Sequence, residues 1–358
     1  VLRVLGLFEN GDEGGRGGLR TGPPARSFGY GAQHLHGDGI QLIRVQPAHG
    51  RLHRKVRDVV EHRAGYPADR LVRSLRTAAR ADVVFAYLEN HGTLPALLRA
   101  RRTWPMRRTP LVVLSCWWAE ELQSSGASTR ERILRAAAGV DRILVLSSNQ
   151  VGVFARYGIP EHRVTSLPFS VDADWYTPDP DVVRDRDVVA VGMDRGRDFD
   201  TLVAAARMLP AARFDIVTQS GRLDPSRMPR NVTLHPMVPM DEYRHWLRRA
   251  RVVAVPTHEL AYPTGQSVLL EASATGACVA VTRTPAMADY LREGVTALGL
   301  PLGDARGVAE VLGGALSDDE LRRRIGSQAR KAVEERYAYP GMWTRVREIL
   351  HEVAARTD

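Results

Sequence analysis

The chain has 358 residues, 44% of them hydrophobic, with 50 basic against 41 acidic side chains and a formal net charge of +9. Such a length suits two domains and such a composition supports real cores, which excludes a disordered chain and a small disulfide-stapled one. No apolar run approaches the roughly 18 residues that span a bilayer, and the two cysteines, Cys116 and Cys278, form neither a metal spacing nor a disulfide framework, so a reducing cytoplasmic setting fits.

The positive excess is confined to one half. Residues 1–177 hold 25 basic and 16 acidic side chains, and residues 178–358 hold 25 of each. Solvated arginine-rich faces explain this most simply; an anionic partner, or peripheral contact with the inner face of an anionic membrane, is the alternative. The basic residues lack interleaved aromatics and no nucleic-acid module appears, so nucleic acid is not expected as a partner.

Taken in chain order, residues 1–11 (VLRVLGLFENG) read as a strand entering a glycine loop and not as a secretory leader. That loop continues as ENGDEGGRGGL. Its glycines do not fall into G-x-G-x-x-G, so a dinucleotide fingerprint is absent. A phosphate loop at Gly17 and Gly18 stays as a candidate. Short apolar, β-branched runs follow at 40–45, 83–87, 111–115, 142–146 and 164–167, with helical patterns at 130–138 and 149–157 between the later ones. This alternation argues for parallel β-α-β units in a sheet covered on both faces. His91, in LENHG after the run 83–87, is the best-placed candidate base, with Glu89 close by, and is read as a loop residue.

Residues 176–187 (YTPDPDVVRDRD) break the rhythm and read as a linker. The D-x-D pairs at Asp172–Asp174 and Asp179–Asp181 flank prolines and read as turn aspartates, so no metal site is expected. A second alternation follows. A strand at 188–191 leads through Gly192 to a helix at 198–209, with Arg195 and Arg197 at the helix start. Two guanidiniums beside a helix N-terminus suit a diphosphate. Strands at 214–217, 232–234 and 252–256 and a helix at 241–249 lead to AYPTGQSVLLEASATGACVAVT, residues 261–282. There Gly265, Gln266 and Ser267 open a helix. Its unpaired amides and positive dipole end favour an anion. Glu271 is the single charge in the stretch and its apolar flanks predict burial. A buried carboxylate needs donors; no basic residue lies nearby in sequence, and ribose hydroxyls would serve. Helices near 307–316, 319–336 and 343–355 close the chain.

These pieces in this order resemble a family-4 glycosyltransferase of the GT-B fold. The resemblance is strongest in RILVLSSNQVGVFARYGIPEHRVTSLPFSVDADWYTP, VVAVPTHELAYPTGQSVLLEASATGACVAVT and LSDDELRRRIGSQARKAVEERYAY. It implies an α/β architecture: two Rossmann-like doubly wound domains facing each other across a cleft. These are an acceptor domain over 1–177, a nucleotide-sugar domain over 178–340, and a helix over 341–358 returning to the first domain. It implies retaining transfer of a hexose-type sugar from a UDP-, GDP- or dTDP-sugar to a glycan, lipid or small-molecule hydroxyl. No cofactor or metal is expected beyond the sugar nucleotide. Glu271 matches the second glutamate of the family's E-x7-E motif, which holds the donor ribose. Gly265, Gln266 and Ser267 match the turn that meets the donor. Arg197 matches a diphosphate-binding lysine, whose partner arginine falls at Met193, so Arg195 is expected to substitute. The first glutamate of the motif is replaced by Pro263, with Glu259 four residues earlier as the candidate to reach in. The family's histidine is also missing: LSCWWAEE offers Cys116, Trp117 and Trp118. These departures keep two alternatives open, a non-catalytic sugar-nucleotide-binding partner and a GT-B-fold sugar-nucleotide epimerase.

Overall fold

The computed structural model describes residues 1–9, 19–21, 29–37, 39–46 and 50–356. Gly17 and Gly18 lie outside the described residues. The chain divides into two compact units, Val1–Leu167 with Pro340–Asp358, and Pro168–Tyr339. The stretch 176–187 read as a linker falls inside the second unit, which begins at Pro168.

The first unit is built on seven strands: β1 (Leu2–Leu7), β2 (Leu19–Thr21), β3 (Ile40–Val45), β4 (Val83–Tyr87), β5 (Leu111–Ser115), β6 (Arg142–Val145) and β7 (Val164–Ser166). They run in the order β2-β3-β1-β4-β5-β6-β7. All neighbours are parallel except β2, which pairs antiparallel with β3, Arg20 opposite Arg44. Strands β4 and β5 are buried along their whole length, as sheets covered on both faces require.

His91 corrects the sequence reading. It lies in the helix Glu89–Ala100, not in a loop. Gly92 and Pro95 mask that helix locally, but tertiary packing needs it: a Cβ on Gly92 would come within 2.8 Å of Val113, so the glycine lets the helix rest on β5. The C-terminal helix Tyr339–Ala355 supplies core to this unit. Trp343 is fully buried, edge-on to Phe85 and stacked near Tyr87, and its indole N–H donates to the Tyr30 carbonyl at 2.8 Å.

The second unit carries β8 (Arg186–Val191), β9 (Phe214–Val217), β10 (Val232–His235), β11 (Ala250–Val255), β12 (Cys278–Thr282) and β13 (Leu298–Leu300). The order is β10-β9-β8-β11-β12-β13, all parallel. The three-residue edge strand β13 has too short a pattern to be read from sequence. Aspartates cap the covering helices: Asp198 accepts from the Thr201 amide, Asp304 from Arg306 and Gly307, and Asp318 from Leu321. The strand order reverses between β8 and β11. Ligands of such sheets bind outside the carboxyl ends of the strands at this switch point, and the loops leaving β8 and β11 therefore define the candidate site. Among the described residues no helix is long and apolar enough to cross a membrane.

Candidate functional site

The two loops at the switch point are tied together. Arg197 bridges Thr257, the Asp198 amide donates to the Pro256 carbonyl at 3.1 Å, and the His258 amide donates to Gly196 at 2.8 Å. Asp194 organises the turn between them. Its carboxylate accepts from the Gly196 amide at 2.9 Å and from the Thr264 hydroxyl, and its second oxygen lies 3.2 Å from Arg197 Nε.

Arg197 is thus no surface arginine; it is 4% exposed. Two glycines make room for it. A Cβ on Gly192 would fall 2.2 Å from Arg197 Nε, and one on Gly265 would fall 2.5 Å from Arg197 Nη1. Gly265 also holds φ at 90°, a left-handed conformation that side chains disfavour. It is the N-cap of the helix Gln266–Ala274. The Gln266 amide there bonds the Pro263 carbonyl at 3.1 Å, while those of Ser267 and Val268 have no acceptor among the described residues. Arg197 Nε and Nη1 also lack a well-aligned hydrogen-bond partner. A buried guanidinium that Asp194 answers on one side only, set against a positive helix end, is an arrangement that an anion would complete.

One turn into the same helix, Glu271 is partly buried. Its carboxylate accepts from the Tyr243 hydroxyl at 2.6 Å. The Tyr176 hydroxyl is buried close to it without forming an aligned hydrogen bond. Burial pushes the Glu271 carboxyl up to about 7, against the lowering pull of both tyrosines and of the Arg197 charge. The same burial, reinforced by the Glu271 charge, raises Tyr243 and Tyr176, so both hydroxyls stay protonated donors.

This corrects the expectation that the carboxylate has no donors of its own. Tyr243 supplies the donor that the local sequence lacks, and Arg197 acts on the carboxylate by its charge alone. Sequence reasoning missed Tyr243, although the signal was present: Tyr243, Trp246 and Leu247 form the buried stripe of an otherwise charged helix.

Residues 197–350 match a family model described as "Glycosyl transferase-like". Sucrose-phosphate synthase from Thermosynechococcus elongatus superimposes with a TM-score of 0.70 at 16% identity, over 99% of this chain and 100% of that one. Anabaena Alr3699/HepE in complex with UDP and glucose gives 0.70 at 13% identity, over 98% and 100%. S. aureus TarM gives 0.60 at 13% identity, over 75% and 56%. No curated protein sequence matches the chain.

The fold is GT-B. Residues 197–350 are similar to a glycosyltransferase-like domain.

Within this GT-B chain the remaining candidates separate. Arg195 is exposed, as is Glu259, in the loop that follows β11. Pro263 is buried in that loop, next to Thr264. Gln266 is buried and its side-chain amide donates to the Tyr262 hydroxyl at 2.7 Å, whereas Ser267 keeps partial exposure.

In the first unit the Glu89 carboxylate accepts from the amides of Cys116 and Trp117 at 2.8 and 2.9 Å. It caps the turn after β5 and does not bond His91. The His91 ring is buried, its Nε2 has no partner, and burial followed by the Arg70 charge lowers it to about 4, so it is a neutral imidazole near pH 7. Trp118 is core, 3% exposed, and Trp117 is half-buried. The D-x-D aspartates form local turns: Asp172 accepts from the Trp175 amide at 3.0 Å and Asp179 from the Asp181 amide at 3.2 Å.

Proposed function

We propose that the protein is a retaining hexosyltransferase that moves a sugar from a nucleotide-diphosphate donor to an acceptor hydroxyl. Arg197 carries the reading: a buried guanidinium, ion-paired to Asp194 through Nε and with no aligned acceptor at Nη1, wedged between Gly192 and Gly265 at a helix N-terminus. The UDP and UDP-glucose complexes of HepE favour a uridine-diphosphate donor as the first to test.

In this reading Arg197, with Arg195 at the loop surface, neutralises the two phosphates together with the amides of the Gly265–Gln266–Ser267 turn. Glu271 accepts hydrogen bonds from the ribose hydroxyls, held in place by Tyr243. During transfer the bond from the anomeric carbon to the diphosphate breaks while the acceptor oxygen bonds to the same face, and the acceptor proton leaves with the diphosphate. Charge builds on the diphosphate, where fixed positive groups lower the barrier. His91 and Glu259 are the candidates for proton handling and sugar contact. Because arginine and helix dipole neutralise the leaving group, no divalent metal takes part.

A thermal-shift titration with UDP-glucose, paired with donor turnover in EDTA, tests this. The wild-type melting temperature rises with ligand, as binding to the folded state alone requires. Arg197→Ala abolishes the rise and Glu271→Ala reduces it, and turnover persists in chelator. A rise untouched by both substitutions removes the site, and a strict magnesium requirement removes the metal-free mechanism. Donor binding without turnover over a panel of acceptors would favour the non-catalytic alternative, which the exposed Glu259 and the buried Pro263 motivate.

A further inference from the structure

A cavity of about 1200 Å³ opens in the first unit, beside the segments that lead into β5, β6 and β7. This is the amino end of those strands, opposite the end where open α/β sheets bind their ligands. Six arginines line it with one aspartate, Asp141.

Two of the arginines have structural work. Arg99 pairs with Asp141 at 2.6 Å. Arg163 donates to the carbonyls of Ala137, at 2.7 Å, and Val140, closing the C-terminal end of the helix Ala127–Ala138. Asp141 in turn accepts from the Leu111 amide at 2.8 Å. The single acid of the cavity is therefore already used. Arg102, Arg107, Arg108 and Arg356 remain, all exposed, and their guanidiniums have no acceptor among the described residues. Burial and then the Arg356 charge hold the neighbouring Arg142 guanidinium below its ordinary range.

Arginine density alone would not single this place out. The second unit has a basic cavity of about 560 Å³ lined by five arginines, of which Arg323 is exposed and the other four, Arg184, Arg251, Arg322 and Arg330, are bonded within the unit. There four of the five groups are spent on the fold. Arg184 holds the Ala250 and Thr275 carbonyls at 2.9 and 3.0 Å, and Arg330 those of Ala173 and Ala274 at 2.8 and 2.9 Å. Arg322 holds Leu316 at 2.8 Å, and Arg251 pairs with Asp187 at 3.0 Å. In the first unit, by contrast, four exposed guanidiniums line one concavity and no ion pair holds any of them among the described residues. A multiply charged anion can engage several of them at once, and guanidinium forks match the oxygens of phosphate and sulfate.

We propose that this cavity is a second, polyanion-binding site, one that takes a soluble molecule bearing two or more phosphate or sulfate groups. It is a wide, open concavity, which suits a highly charged molecule held by its charges more than by enclosure. A phosphorylated lipid headgroup shares the chemistry, and the experiment separates the two sources. The proposal is independent of the donor reading, whose residues lie in the other unit.

Isothermal titration of the full chain with inorganic tripolyphosphate tests it, with vesicles of phosphatidylglycerol as a separate arm. The wild type binds an equivalent that the triple variant Arg102→Gln, Arg107→Gln, Arg108→Gln loses or binds at least about tenfold more weakly. Arg323→Gln, in the other basic cavity, and Arg197→Ala, in the proposed donor site, retain it. Far-UV circular dichroism reports folding, and Arg102→Gln alone, with a smaller loss, serves if the triple variant does not fold. Equal stoichiometry and affinity in the wild type and the folded triple variant, or in the wild type and Arg102→Gln where the triple variant does not fold, overturns the proposal. So does binding to vesicles with no binding of tripolyphosphate, which would make the cavity a lipid contact.

Discussion

Glu271 and His91 are buried ionisable groups displaced in opposite senses, and each makes stability depend on pH. Glu271 is raised from an ordinary 4.5 to about 7, so between those values the folded state holds a proton that the unfolded chain releases. Its contribution is complete below about pH 4.5 and is lost as pH rises to about 7. His91 is lowered from 6.5 to about 4, so its contribution is present above 6.5 and lost as pH falls through about 4. Urea midpoints between about pH 4 and about pH 8 separate the two. Glu271→Gln is expected to be more acid-sensitive than wild type, because the opposing gain is gone, and His91→Gln less so. Parallel profiles for all three proteins would place both groups in water. Burial of Glu271 was legible in its apolar neighbours Val268, Leu269, Leu270 and Ala272. The donors that answer it were not, because Tyr243 reaches it from another helix.

At the scale of elements, the loop after β8 and the helix Gln266–Ala274 act as one unit because Gly265 has no side chain. Gly265→Ala meets two obstacles: a positive φ and a Cβ 2.5 Å from both Arg197 Nη1 and Val255 Cγ1. A cost of roughly 2–4 kcal/mol is expected, together with displacement of Arg197 and loss of the UDP-glucose thermal shift. Gly303 is the control. Its φ is +65° but nothing lies within 4 Å of its Cβ position, so alanine there costs about 1–2 kcal/mol for backbone strain alone. Chemical denaturation of both variants checks the difference. Most strands and helices were readable from period and length, since β-branched runs and capped amphipathic segments carry their own signal. The helix Glu89–Ala100 was not, because Gly92, which lets it rest on β5, and the buried Pro95 lower its local propensity.

At the scale of the molecule, the chain ends in a helix that belongs to its first compact unit. Trp343 anchors that helix among Phe85, Tyr87 and the Tyr30 carbonyl. Trp343→Ala is expected to destabilise the first unit by about 3–5 kcal/mol, and Trp343→Phe by less, since the ring is kept and the indole hydrogen bond is lost. Urea unfolding, followed alongside the UDP-glucose thermal shift, checks this: the shift persists, because the proposed donor residues lie in the second unit.

The sequence by itself determined the alternation of strands and helices, the glycine turn at Gly265, the presence of Arg197 at a helix start and that of Glu271 one turn into another. All of these follow from period, turn chemistry and capping within a dozen residues. Only the tertiary structure decided that Arg197 is buried between Gly192 and Gly265, that Tyr243 holds Glu271, and that Arg102, Arg107 and Arg108 share a cavity with Arg356. Those facts depend on which distant segments the parallel sheets bring side by side, and side-chain burial and partnering are properties of that packing, not of any local stretch of chain.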